Sequence, residues 1–303
     1  MMKRIIISVL ILLGLALPAQ AKTINVVTTT TDLKSVVEFI GKDKVKVYSL
    51  GKGNQNYHFL QAKPSYMIKA KKADLFIRNG LELEVGYESL ILEGSRNPNI
   101  QVGRDGHLDA STGIHPLDVP HHVDRSMGDI HAGGNPHYWL DPLNMKIVAS
   151  SVADRLADIS PQNKSFFENN LSKFNALIDE KMIEWKEILS PYAGEKLITY
   201  HKSLLYLAKR FNFEIIGELE PKPGVPPSPS HLKKITELVK REEVEVILVE
   251  NFYKKDAAQY VSDRTGTNIV VTPISVGGTK QASDYLKLMD IIVQNLKRGF
   301  AND

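Results

Sequence analysis

The 303-residue chain contains no cysteine. That excludes a disulfide framework, a cysteine-type zinc finger, an iron–sulfur cluster and a thiol nucleophile. It also excludes the lipid anchor of a bacterial lipoprotein, which sits on an N-terminal cysteine. An excess of one charge is missing too: 38 Lys and Arg face 35 Asp and Glu, a formal net charge of +3. So even a balance argues against a nucleic-acid binder, which would carry a strongly basic face. Beyond the first residues no apolar run approaches a transmembrane length. What is present is an ordinary globular composition, 43% hydrophobic and 24% charged, in a chain long enough for two domains.

The single long apolar run stands at the start. Lys3 and Arg4 precede Ile5 to Leu17, interrupted by Ser8 and Gly14, and Ala19-Gln20-Ala21 follows as a small-x-small cleavage site. Residues 1–21 therefore read as a secretory signal peptide, with Lys22 the first residue of the mature chain. Without Lys3 and Arg4, the 38 basic residues fall to 36 against 35 acidic ones. The expected location is a bacterial periplasm.

In the mature chain, short β-rich runs alternate with helical patterns. Ile24 to Thr29, Val45 to Leu50 and Asp74 to Arg78 read as strands; Thr31 to Ile40 and Ser65 to Lys72 read as helices, with Thr31 and Ser65 in the capping positions. From about Gly103 to Asn135 the pattern breaks into a long loop rich in Gly, His, Pro and Asp. A long helix is expected over residues 161–190, with Ser160 as cap and Pro161 in its first turn. The alternation then resumes, with strands near 196–200, 213–217, 244–249 and 269–272 and helices near 204–210, 230–240, 257–265 and 282–296. The pattern predicts two α/β lobes with parallel-type sheets (22–160 and 191–303) joined by a long rigid helix. Ligands of such sheets bind beyond the carboxyl ends of the strands, which here is the interlobe cleft.

Nine histidines carry the chemistry. His58, His137 and His201 fall at strand ends or loop-to-helix junctions, in Asn56-Tyr57-His58, Asn135-Pro136-His137-Tyr138-Trp139-Leu140-Asp141-Pro142 and Tyr200-His201-Lys202-Ser203. Imidazole is the commonest metal-ligating side chain and suits zinc. The wide spacing of the three fits no local zinc knuckle and no His-Glu-x-x-His helix, only a site assembled across the fold. His107, His115, His121, His122 and His131 crowd the irregular stretch, where they would be weak accessory ligands or merely polar. His231, at a helix start, reads as structural. Tyr138 and Trp139 read as core, and Asp141 as either an outer partner of a ligating histidine or a helix-start residue.

These residues resemble, in order and over nearly the whole mature chain, the solute-binding proteins of bacterial zinc and manganese ABC importers. The resemblance lies in His58 with Pro64-Ser65 and Ala73-Asp74-Leu75 downstream, in Asn79-Gly80-Leu81-Glu82-Leu83-Glu84, in the segment around His137, and in Tyr200-His201-Lys202-Ser203 with the later Pro226-Pro227-Ser228-Pro229. It implies a zinc ion as transported ligand, held by His58 and His137 from the first lobe and His201 from the second. It further implies a receptor that serves an inner-membrane ABC permease and makes and breaks no bond; a monomer is expected, and the charge balance leaves no nucleic-acid partner. Histidine at the third position resembles the zinc binders, and glutamate there the manganese binders. The chain departs from the family in the loop Pro273 to Thr279, which lacks the acid that many relatives place there. Glu250, a water or Asp284 would supply the fourth ligand. A secreted zinc hydrolase, for which three histidines and an open position would also serve, and a metal-binding adhesin are the rival classes.

Overall fold

The computed structural model describes residues 22–120, 122 and 131–301; residues 1–21, expected to be a signal peptide, and His121 lie outside them. The chain opens with strand β1 (Ile24–Thr28) and helix α1 (Thr31–Gly41). The cap of α1 is Thr30, one residue before the expected Thr31, its hydroxyl accepting from Leu33 N at 3.3 Å. Strand β2 (Val45–Ser49), helix α2 (Pro64–Lys71), strand β3 (Leu75–Arg78), helix α3 (Glu88–Ser95) and strand β4 (His107–Asp109) complete the first lobe. Pro64 occupies the first turn of α2 behind Lys63, so Ser65 lies inside the helix and is not its cap. The four strands are parallel, in the order β2-β1-β3-β4. Strand β4 corrects the expected loop: its start at His107 is a sheet edge beside Phe76.

Two helices, not one, follow. Helix α4 (Pro142–Ile159) starts at Asp141, whose carboxylate accepts from Leu143 N at 3.0 Å, with Pro142 supplying a pre-set φ. Met145, Val148, Ala149, Val152, Ala153 and Leu156 recur at helical spacing and form its buried stripe. A 3₁₀ turn at Pro161–Asn163 leads into α5 (Lys164–Leu189), 26 residues and so roughly 39 Å long at about 1.5 Å per residue. The two pack against each other as a helical hairpin, and α5 leads into the second lobe.

That lobe comprises β5 (Lys196–Thr199), α6 (Leu205–Phe211), β6 (Glu214–Glu218), α7 (Pro229–Glu242), β7 (Val246–Glu250), α8 (Asp256–Thr265) and β8 (Asn268–Thr272). Its parallel sheet repeats the order of the first, β6-β5-β7-β8. The last helix, α9 (Tyr285–Ala301), packs on β8 and α5 and reaches α1. A single hydrophobic core therefore runs from one lobe to the other through α4, α5 and α9.

In both sheets the connections diverge from a central strand pair, β1/β3 and β5/β7. This places a crevice beyond the ends of each pair. The crevices face each other across a closely bonded interface. Trp139 Nε1 donates to Ile274 O at 2.7 Å, the Tyr285 hydroxyl to Trp139 O at 2.6 Å, and Val276 N to the Asp32 carboxyl at 2.9 Å. Arg210 forks onto Asp141 at 2.6 and 2.7 Å. Gly53 lies so near the opposite loop that a Cβ would stand 2.1 Å from Val276 O, so no other residue fits there.

Candidate metal centre

The three histidines come from different elements. His58 sits in a 3₁₀ turn (Tyr57–Phe59) after β2, its backbone N–H capped by Asn56 Oδ1 at 3.0 Å. His137 precedes the turn Tyr138–Leu140 that leads to α4. His201 follows β5 by two residues, at the switch point of the second sheet. The fold brings one ligand nitrogen from each within 4.8 Å of the others. His58 Nε2 and His137 Nε2 stand 3.2 Å apart. Two nitrogens bound at about 2.0–2.1 Å on a tetrahedral ion would stand roughly 3.3 Å apart. A cavity of ≈ 10 Å³, room for about one water-sized sphere, is lined by the three rings together with Ser203 and Ser275. A second of ≈ 40 Å³ lies on the side of His131, Lys202 and Pro223.

The outer ring nitrogens decide which inner ones are free. His137 Nδ1 lies 3.0 Å from Asn135 Oδ1. That oxygen also accepts from His137 N at 3.0 Å, while Asn135 Nδ2 donates to Lys202 O at 2.7 Å. The amide orientation is thus fixed by its partners, so His137 Nδ1 carries the proton and Nε2 presents a lone pair. His201 Nδ1 lies 2.8 Å from the Glu220 carboxylate, with the same consequence for its Nε2. His58 Nδ1 lies 3.2 Å from His131 Nε2, and the two rings stack. Burial first, and then the neighbouring imidazoles, hold His58 and His137 well below the usual histidine range. Both are neutral, the form a metal needs.

The remaining candidates are placed differently. Glu250 is fully buried at the end of β7 and accepts a hydrogen bond from Ser203 Oγ. Burial pushes it up to about 7. It does not belong to the group whose donor atoms converge. Asp284 caps α9, accepting from Lys287 N at 3.0 Å. Asp141 is engaged by Leu143 N and Arg210; the outer partner of His137 is Asn135. His107 is a buried strand residue with Nε2 2.8 Å from Glu88 and its ring stacked on Phe76, which corrects its place among the loop ligands. His115 and His122 are exposed. Of the loop histidines in the described residues, His131 alone reaches the cluster. His231 Nε2 bonds Glu218 O at 2.9 Å, a structural role as expected.

Two roles escaped the sequence reading, that of Glu220 and that of the turn Asn79 to Glu84, which reads from sequence only as a family-like segment. Glu220 is one of three acids, with Glu214 and Glu218, in and just after β6, and its position carries no mark. Asn79 Nδ2 donates to Pro136 O at 2.9 Å, and the Tyr138 hydroxyl donates to Asn79 O at 2.6 Å. The Glu84 carboxylate holds the same turn through Asn79 N and Gly80 N at 2.7 and 3.1 Å. Gly80, Leu81 and Glu82 all take left-handed backbone conformations there. The turn is strained and is positioned directly behind His137.

With this geometry in place, similarity to known proteins decides the family. The profile described as ZnuA, zinc-uptake complex component A, periplasmic, matches residues 26–299. The chain belongs to the ZnuA family. As a ZnuA-family protein it is a metal-binding receptor of the kind that serves ABC transporters. Among its relatives is the iron-binding protein YfeA of Yersinia pestis, 25% identical over 92% of this chain and 87% of that protein. Another is the manganese ABC transporter substrate-binding lipoprotein PsaA of Streptococcus pneumoniae, 26% identical over 94% and 92%. A crystal structure of ZnuA superposes with a TM-score of 0.75 at 23% identity, covering 91% of this chain and 99% of that one. A cadmium-bound periplasmic metal-binding protein of candidatus liberibacter asiaticus gives 0.74 at 22% identity, over 90% and 98%. The two-lobed ZnuA-like fold is the one the sequence implied.

Proposed function

We propose that the chain is a periplasmic zinc receptor, exported by residues 1–21, that carries the ion to an inner-membrane ABC permease. His58, His137 and His201 are its ligands. The observation that carries this reading is the convergence of three imidazoles, each with its second ring nitrogen engaged. An all-nitrogen set favours zinc over manganese, the harder ion, which prefers carboxylate and carbonyl oxygen. Relatives named for iron and manganese make those ions the rivals within the family.

The fourth position belongs to a water beside Ser203 and Ser275, two residues that line the ion-sized cavity. Glu250 stands one hydrogen bond behind, as the acceptor for Ser203. Release proceeds by local displacement of a ligand-bearing segment. Lobe separation would break the Trp139, Tyr285, Asp32 and Arg210 bonds together.

The test is competition between zinc and manganese on chelator-stripped protein spanning residues 22–303. Zinc should bind one tight site and displace manganese. A manganese preference would overturn the choice of ion.

A further inference from the structure

The geometry points to Glu220 as the residue that sets the metal preference of this site, by placing a carboxylate on the outer ring nitrogen of His201. The inference rests on the metal reading above. It concerns a positioning residue, since Glu220 acts through His201.

The three outer partners differ in kind. His137 meets a neutral amide and His58 meets an imidazole, whereas His201 meets a carboxylate at 2.8 Å. A carboxylate draws the Nδ1 proton toward itself and enriches the electron density at Nε2. The gain from a more basic donor is larger for the stronger Lewis acid, and zinc stands well above manganese in that order. One carboxylate on one histidine therefore tilts the whole site toward zinc.

Glu220 is also held where a positioning residue should be. It is 8% exposed. The oxygen that meets His201 also accepts from Gly224 N at 3.3 Å. The Tyr253 hydroxyl lies beside the same carboxylate and accepts from Asn56 Nδ2 at 3.1 Å. Asn56 in turn caps the backbone of His58. The ring of Tyr253 stacks on Tyr200, the residue before His201, at 4.0 Å. Glu220, Tyr253 and Asn56 thus bridge the cleft beside the ion cavity and join the ligand of one lobe to a ligand of the other. A bridge of this kind fixes the separation of the two imidazoles and resists expansion to the higher coordination that manganese accepts.

The experiment measures zinc and manganese affinities of wild type, E220Q and E220D. E220Q keeps the volume and an acceptor for Nδ1–H but loses the charge. Zinc affinity should fall about 10–100-fold, manganese affinity by less, and the zinc-to-manganese ratio should shrink; E220D should restore part of the ratio. Equal losses for both metals, the mark of a merely structural residue, would overturn the inference. Wild type that takes up neither metal would overturn the metal reading and this inference with it. Should E220Q fail to fold, imidazole ¹⁵N–¹H NMR of zinc-loaded wild type gives the same answer. His201 should be protonated at Nδ1, with that proton downfield of the one on His137. Protonation at Nε2, or equal shifts, would overturn it.

Discussion

Acid should weaken zinc binding far less than three histidines would normally allow. A histidine with an ordinary pKa near 6.5 goes from half to about nine-tenths protonated between pH 6.5 and 5.5, which weakens binding roughly 5-fold per ligand. Three such ligands would lose roughly 170-fold together. Here burial and the neighbouring rings keep His58 and His137 neutral before any ion arrives. Their share, roughly 30-fold, should therefore be missing from the loss. The corresponding cost falls on the metal-free fold. Both groups have folded values below the unfolded value of about 6.5, so below that pH the unfolded chain binds more protons. They leave stability unchanged above about pH 6.5 and lower it as the pH falls further. Asp32, Glu84 and Glu250, each pushed up to about 7 by burial, act oppositely. Their folded forms hold protons that the unfolded chain has released, so stability declines as pH climbs from about 4 to about 7. The histidine contribution is isolated by denaturant unfolding of the metal-free wild type against His137→Asn, and the binding loss by titration against a chromophoric chelator at both pH values. A loss near 170-fold would mean that the fold does not hold the two rings neutral.

Three further outcomes follow from the same contacts. Glu250→Gln should change zinc affinity by less than about 3-fold, since an amide oxygen still accepts from Ser203; a loss as large as that from removing a histidine would make Glu250 a direct ligand. Tyr285→Phe leaves the buried Trp139 carbonyl without its donor and should cost about 1–3 kcal/mol in unfolding free energy. If release is local, its zinc dissociation rate in stopped-flow exchange should stay within about 3-fold of wild type; marked acceleration would favour lobe opening. Asn79→Ala should cost about 1–3 kcal/mol by thermal or chemical unfolding and weaken zinc binding as well, because Pro136 O behind His137 loses its partner.

Much of the fold was legible because local signals agreed with the packing. β7 and β8 are apolar runs that end at polar turns, and α7 carries its cap at Ser228 and Pro229 in its first turn. The threonine run 28–31 offered several hydroxyls of equal capping chemistry, so the cap was misplaced by one residue. Helix α4 was readable from Met145, Val148, Ala149, Val152, Ala153 and Leu156, yet small residues dilute that stripe, and the more strongly marked α5 drew the single helix. His58, His137 and His201 stood out because strand ends and a tight aromatic-proline segment presented them. The residues that orient them did not. Glu220 and Asn135 act through one hydrogen bond each to a ring nitrogen, and such a bond leaves no periodicity and no fixed spacing from the histidine it serves. His131 is one of several histidines in its stretch, and only the path of the chain separates it from His115.

In the proposed receptor three histidines from two lobes hold one zinc ion. Zinc stoichiometry and affinity of chelator-stripped protein, compared with His58→Ala, His137→Ala and His201→Ala, put this site to the test. One tight site should be present in wild type, and each substitution should weaken it by more than the about 10–100-fold that loss of an outer partner costs. Tight binding that survives all three substitutions would contradict the site.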